Sequence, residues 1–230
     1  MSNDGTLDLD RIVFIGRTYE EYLSMFNLTQ AELEGRTILD CPGGACSFTA
    51  YANKRGADAT AADIAYCYGV EELQKKGMQD LEHTLAKMER VQAGFVWDYF
   101  KSMDELQKCR YQALTDCIND MKQHPKHYVP ATLPVLPFAD KRFDMTLSAH
   151  LLFVYSDRLV YDFHLKTIQE LIRVTKREIR LFPLTNLSGE KYDQLERLRS
   201  ELHQQGYSTE EIKVKYEFQK GANSMLKITL

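Results

Sequence analysis

The spacing of apolar and polar positions changes several times along the chain, and each change marks an element. Thr18 followed three positions later by Glu21 has the spacing of a capping box. Tyr22, Met25 and Phe26 form the apolar face of the helix that it opens. Thr29 and Glu32 repeat the signal. Residues 1–10 are polar and read as loose chain. Thr37-Ile38-Leu39-Asp40 is a short apolar run stopped by Cys41-Pro42-Gly43-Gly44, which predicts a buried strand ending in a tight turn. A helix from Phe48 to Lys54, closed by Gly56, and a strand from Asp58 to Asp63 complete one nucleotide-binding βαβ pattern.

From Tyr66 to Lys126 the pattern is helical and far longer than a crossover needs. Leu81, Leu85, Met88 and Phe95 share one predicted face, and Leu106, Ala113, Leu114, Cys117 and Met121 another. Gly77 and Gly94 are predicted breaks, giving two or three helices. The excess reads as an insertion over 66–126 that forms a lid within a single domain of residues 1–230. Strands are then predicted at 127–129, 143–147 and 178–182. Helices are predicted at about 158–175 and around Leu195, Leu198 and Leu202 up to Gly206. Ile212, Val214, Tyr216 and Phe218 alternate with Lys213, Lys215 and Glu217, the signature of a half-buried strand. A turn at Gly221-Ala222-Asn223 leads into a closing strand over 225–230. Alternating strands and helices followed by a hairpin predict an α/β fold with one antiparallel strand.

Composition narrows the class. Hydrophobic residues make up 44% of 230, enough for a sizeable core, and the 27% of charged residues mix both signs. The net charge of −4 speaks against nucleic acid as the main partner. The cluster Arg173, Lys176, Arg177 and Arg180 is the best basic patch, and it also reads as a solvated helix end. No apolar run spans a bilayer, and the first residues lack the regions of a signal peptide, so no membrane partner is expected. Five cysteines without paired spacing point to reduced thiols in a cytoplasmic protein and to no zinc or other metal.

The chemistry gathers on the turn after Asp40. Gly43 and Gly44 let a ligand approach the strand end closely. A carboxylate at Asp40 repels a pyrophosphate and suits a ligand with an ammonium and a positive sulfonium. Asp63, at the end of the second strand, can accept both hydroxyls of a ribose; it also fits a helix cap. His150, after the fourth strand, is the candidate catalytic base if the nucleophile is a hydroxyl or amine. The alternative is a histidine that orders its loop. Tyr155 has a weaker claim of the same kind. Arg17 and Tyr19 are candidates for a carboxylate contact or plain surface residues. Phe95, Trp97, Tyr99, Phe100 and Tyr111 either line a substrate pocket or form the core of the insertion.

With these residues in place the chain resembles the class I S-adenosylmethionine (SAM)-dependent methyltransferases. Asp40, Pro42, Gly44 and Cys46 hold the places of that family's acid and alternating glycines, with only the central glycine kept. Asp63 matches the second acid. The loop with Leu136-Pro137-Phe138 and Phe143-Asp144 matches the adenine stretch, where Thr132 replaces the usual acid. Cys-Pro-Gly-Gly and Ser-Ala-His-Leu-Leu-Phe-Val-Tyr look like a bacterial branch. The resemblance implies a Rossmann-like seven-stranded, mostly parallel sheet with an antiparallel C-terminal strand. It implies SAM as cofactor and S-adenosylhomocysteine (SAH) as product. It assigns cofactor contacts to Asp40, Cys41, Pro42, Gly43, Gly44, Asp63, Ile64, Thr132, Leu133 and Ser148. The implied activity is methyl transfer to a small-molecule acceptor, with a non-catalytic SAM- or nucleoside-binding regulator as the alternative. A nicotinamide-dependent oxidoreductase fits poorly, because Asp40 stands where that fingerprint opens on glycine. The oligomeric state is not legible.

Overall fold

The computed structural model describes Leu9 and residues 12–230. The loose reading of residues 1–10 therefore lies outside the described residues, Leu9 apart, and Leu9 is buried. Seven strands form one sheet in the order β3-β2-β1-β4-β5-β7-β6. They are β1 (Thr37–Asp40), β2 (Asp58–Asp63), β3 (Tyr128–Pro130), β4 (Phe143–Ala149), β5 (Thr175–Phe182), β6 (Ser208–Lys213) and β7 (Ser224–Thr229). The first five pair in parallel, and β7 runs antiparallel to both β5 and β6. This is the predicted Rossmann-like, mostly parallel sheet with its antiparallel C-terminal strand.

Helices cover both faces because the central strands are apolar on both. The helices are α1 (Tyr19–Met25), α2 (Gln30–Leu33), α3 (Phe48–Lys54), α4 (Val70–Met88), α5 (Met103–Gln123), α6 (Tyr161–Val174) and α7 (Leu195–Gln204). Ile38, Met145 and Leu147 pack with Tyr22, Phe26 and Phe48 on one face. Leu39, Ile179 and Leu181 pack with Ile168, Leu171 and Leu198 on the other. Both predicted capping boxes form: Thr18 with Glu21, and Thr29 with Glu32. Gly56 stops α3 at a φ of +89°, a conformation that favours glycine.

Three details depart from the sequence reading. Gly77 does not break the insertion; it sits inside α4. A Cβ there would lie 2.5 Å from Leu114 Cδ1, so the glycine lets α4 approach α5 closely. Consequently α4 and α5 are two long helices, and Phe95 lies beyond the end of α4 on a separate segment. The second departure is at the end of the chain. The strand is β6 over Ser208–Lys213, and the alternating Val214–Phe218 stretch leaves the sheet. Tyr216 and Phe218 are buried because they turn into the protein toward α1 and Phe95, not because they line a strand face. The third concerns the basic cluster, most of which lies on β5 and not at a helix end. There Arg180 is buried against Glu178 and Glu32, and Lys176 meets Asp144.

α5 packs against α3 as a crossover helix would, so the extra material is chiefly α4 and residues 89–102. Among the described residues no helix is long and apolar enough to cross a membrane.

Candidate active site

In an open parallel sheet, ligands bind beyond the carboxyl ends of the strands where the chain direction of the connections switches. Here that point lies between β1 and β4. A cavity of about 600 Å³ opens there, well inside the range of about 300–1,000 Å³ usual for small-molecule sites. Its walls come from the turns after β1, β2, β3 and β4, from α4, and from a strap over residues 12–17.

The turn after β1 is fixed by its own amides. Gly43 N–H donates to Ala62 O at 3.0 Å, Cys46 N–H to Gly43 O at 3.2 Å and Ser47 N–H to Arg17 O at 3.0 Å. Gly44 has a φ of +53° and donates to Asp63 Oδ2 at 2.9 Å. A Cβ on Gly43 would lie 2.5 Å from Tyr66 Oη and 2.8 Å from Ala61 Cβ, so this position is held to glycine by packing. Gly16 is under the same constraint. A Cβ there would fall 1.8 Å from Ala45 O, so the strap lies directly on the turn.

Asp63 also accepts Ala65 N–H at 2.8 Å and so caps the following 3-10 turn. Capping leaves each carboxylate oxygen a second lone pair, and the residue lines the cavity. Burial pushes the Asp63 carboxyl up, against the two amides that lower it.

Cys41, Pro42, Gly43, Gly44, Asp63, Ile64, Thr132, Leu133 and His150 all line the cavity, as do Arg17, Tyr155 and Phe95. Asp40 does not. It shares its strand face with Ile38 and lies beneath the turn, where Tyr22 O–H donates to Oδ1 at 3.0 Å. Its Oδ2 is buried without a partner. Burial, with the like charge of Asp63 and against the Tyr22 hydrogen bond, pushes its carboxyl well above the ordinary range. Ser148 is also off the wall. Alternation along β4 turns Leu147 and Ala149 to the cavity side and Ser148 to the opposite face. Tyr19 is buried against Phe48 instead of meeting the site. Of Phe95, Trp97, Tyr99, Phe100 and Tyr111, only Phe95 lines the cavity. Trp97 and Phe100 pack around Phe218, and Tyr99 packs on Tyr216.

His150 follows β4 at a φ of +54°, a strained conformation for a non-glycine residue that costs on the order of 1–3 kcal/mol. Its N–H donates to Phe182 O at 2.8 Å, and its Nδ1 is buried without a partner. Burial first, then the charges of Arg17 and Arg110, push the imidazole well below its ordinary pKa, so the ring is neutral near pH 7. A neutral ring has a nitrogen free to accept a proton.

A buried network on the far wall was not legible in the sequence. Arg110 binds Glu21 through two hydrogen bonds of 2.6 and 2.9 Å, and Tyr216 O–H donates to the same carboxylate at 2.8 Å. Glu21 also accepts Thr18 N–H at 2.9 Å. The available signal was an arginine at 110 on the largely apolar stripe of α5.

No known protein-family profile matches the chain. It is 37% identical over 221 residues to the uncharacterized protein MJ0045 of Methanocaldococcus jannaschii, covering 96% of this chain and 97% of that protein. The chain belongs to the same family as MJ0045. That relative is archaeal and lends the bacterial placement no support. Solved structures with similar topology include a SAM-dependent methyltransferase from Aquifex aeolicus, at 13% identity, 91% coverage of both chains and a TM-score of 0.41. Another is the magnesium protoporphyrin IX methyltransferase of Synechocystis with bound SAM, at 10% identity, 92% and 77% coverage and a TM-score of 0.49. At these scores the fold rests on the strand order itself.

Proposed function

We propose that the protein is a SAM-dependent methyltransferase that acts on a small-molecule acceptor and releases SAH. The observation that carries this reading is the state of the glycine turn. A dinucleotide site offers free turn amides to a phosphate. Here the amides of Gly43, Gly44, Cys46 and Ser47 are all engaged, and Gly44 N–H is taken by a carboxylate. Asp63 on the wall and Asp40 below it favour a cation over a pyrophosphate.

The residues present fit SAM. Arg17 Nε is a buried polar atom without a partner on the cavity wall, suited to a carboxylate, and Asp40 Oδ2, also without a partner, lies beneath the turn, where its charge would act on an ammonium above it. Asp63 has lone pairs left for ribose hydroxyls. Ile64 and Leu133 offer apolar faces to an adenine, with the Thr132 hydroxyl and the Leu133 backbone at its edge. When bound, SAM supplies a methyl group on positive sulfur, which keeps the bond's electron pair as the acceptor heteroatom takes the carbon. His150 is the residue that takes the heteroatom's proton, and the walls around it exclude water. In this reading α4 and its following segment act as the lid. Nucleic acid is not the acceptor, a reading supported by the acids that meet Arg173, Lys176 and Arg180. A cytoplasmic setting belongs to the same proposal, since Cys41, Cys46 and Cys117 are buried free thiols.

Asp40's place beneath the turn favours a second reading, a SAM- or nucleoside-binding regulator without turnover. Calorimetry with SAM, SAH and NAD separates the possibilities by mass action. SAM and SAH are expected to bind and NAD not; binding of NAD alone would end the methyltransferase reading. SAM binding with no methylated product across a broad acceptor screen would favour the regulator.

A further inference from the structure

Away from the glycine turn the cavity changes character. Leu81, Leu85 and Met88 of α4 face Leu106 of α5 and the stacked pair Phe95 and Phe218, whose rings lie 4.8 Å apart. The charges on this side are paired, Arg110 with Glu21 and Lys76 with Asp80. One polar atom stands out in the apolar wall. Thr84 is 8% exposed, and its hydroxyl is buried without a hydrogen-bond partner. A threonine in mid-helix ordinarily returns its hydroxyl to a preceding carbonyl. A buried hydroxyl without a partner is a cost to the fold, which a ligand's polar group would relieve.

We infer that this end of the cavity binds an uncharged, lipophilic molecule of ring-system size, with one polar substituent hydrogen-bonded to Thr84 Oγ1. On the methyltransferase reading, on which its role as acceptor rests, that molecule is the methyl acceptor and its nucleophilic hydroxyl or amine faces His150. Leu85 and Thr84 then determine specificity, the first by apolar contact and the second by a single hydrogen bond.

Titration of the full chain with N-phenylnaphthylamine, a neutral apolar fluorophore, tests the site. Saturable one-site binding is expected, undiminished by saturating SAH. Leu85→Arg is expected to weaken it at least about tenfold, a difference of about 1.4 kcal/mol, while SAH affinity measured by calorimetry is unchanged. Because Leu85→Arg loads a packed helix, Thr84→Val provides an independent arm. As displacers of the probe, naphthol should outcompete naphthalene by about tenfold in the parent and by less than about threefold in Thr84→Val. A chain that binds SAH but shows no saturable probe binding overturns the inference and leaves the methyltransferase reading standing. Probe binding unchanged in Leu85→Arg, or an undiminished naphthol preference in Thr84→Val, also overturns it. Probe binding in a chain that takes neither SAM nor SAH overturns the cofactor reading and supports the lipophilic site alone.

Discussion

The two ends of the cavity are built by different means. The end over β1 and β2 is made by short stretches of chain whose amides are satisfied between adjacent strand ends, as when Gly44 donates to Asp63. The other end is assembled from α1, α5 and the segment after β6, which meet at one carboxylate. Glu21 is joined to Arg110 and to Tyr216 across 89 and 195 positions of sequence. The first end depends on backbone conformation, and the second on a buried charge pair. Substitutions should therefore fail differently at the two.

The largest effect is expected at Glu21. Glu21→Gln leaves the Arg110 guanidinium buried without its counter-charge, which typically costs about 3–5 kcal/mol. Urea denaturation at neutral pH would read the loss. Burial raises the Glu21 carboxyl, but the charge and hydrogen bonds of Arg110, helped by Arg17 and Thr18 N–H, hold it below its ordinary 4.5. A depressed carboxyl contributes stability above its unfolded pKa, and that stability is lost as pH falls through the folded value. The parent should therefore lose stability steeply below about pH 4, and the gap to Glu21→Gln should narrow there. A variant as stable as the parent at pH 7 would remove the network as the organiser of the far wall.

Gly43→Ala is expected to come next. Its Cβ meets Tyr66 Oη and Ala61 Cβ, and Tyr66 is itself tied to Gly44 O at 2.8 Å, so neither neighbour gives way freely. Overpacking of this kind costs about 1–3 kcal/mol, and SAM affinity should fall with it. Thermal denaturation with and without SAM reads both. Gly77→Ala makes an equally short contact, but with Leu114 Cδ1 at the end of a side chain that can rotate. Alanine also favours helix over glycine by about 1 kcal/mol. Its net effect should be under about 1 kcal/mol, with SAM affinity unchanged. Equal losses at Gly43 and Gly77 would contradict the distinction between a glycine held by fixed neighbours and one that faces a side chain able to rotate.

The same contrast explains what could be read from the sequence. The capping boxes at Thr18 and Thr29 close on partners three residues away, and the turn after Asp40 and the acid at Asp63 are marked by the strand patterns that precede them; all fell where the pattern put them. The seven strands followed from local period, except where Val214–Phe218 alternates for a different reason. There the alternate residues are apolar because Tyr216 and Phe218 reach into the protein from an irregular segment. Gly77 reads as a break because its packing partner, Leu114, lies on another helix. Asp40 and Ser148 are cofactor contacts by the resemblance, which does not fix the direction of either side chain. Which face of a strand points at a cavity depends on the sheet's partners, and those are remote. Thr84 carries no local signal, since its unpaired hydroxyl is visible only against the walls around it.

The one effect of opposite sign is expected at Asp40, where substitution should stabilise the fold as pH rises. In the free protein burial holds its carboxyl well above the ordinary 3.8, so above that pH the folded chain holds the proton more tightly than the unfolded chain does. A group raised in this way loses stability as pH climbs from its unfolded pKa toward the folded one. Asp40→Asn keeps an acceptor for the Tyr22 hydroxyl and removes the titration. The variant should match the parent near pH 4 and become the more stable of the two as pH rises, by up to about 1.4 kcal/mol for each unit. Binding should change in the other direction. A cationic ligand above the turn favours the ionised acid, so SAM binding should release a proton, and its affinity in the parent should rise with pH. In Asp40→Asn that rise should vanish and the affinity near pH 8 should drop about tenfold. Calorimetry in buffers of different ionisation enthalpy counts the released proton directly. A parent that binds SAM without releasing one would show that Asp40 is only a buried acid bonded to Tyr22, with the cofactor end depending on Asp63 and the backbone alone.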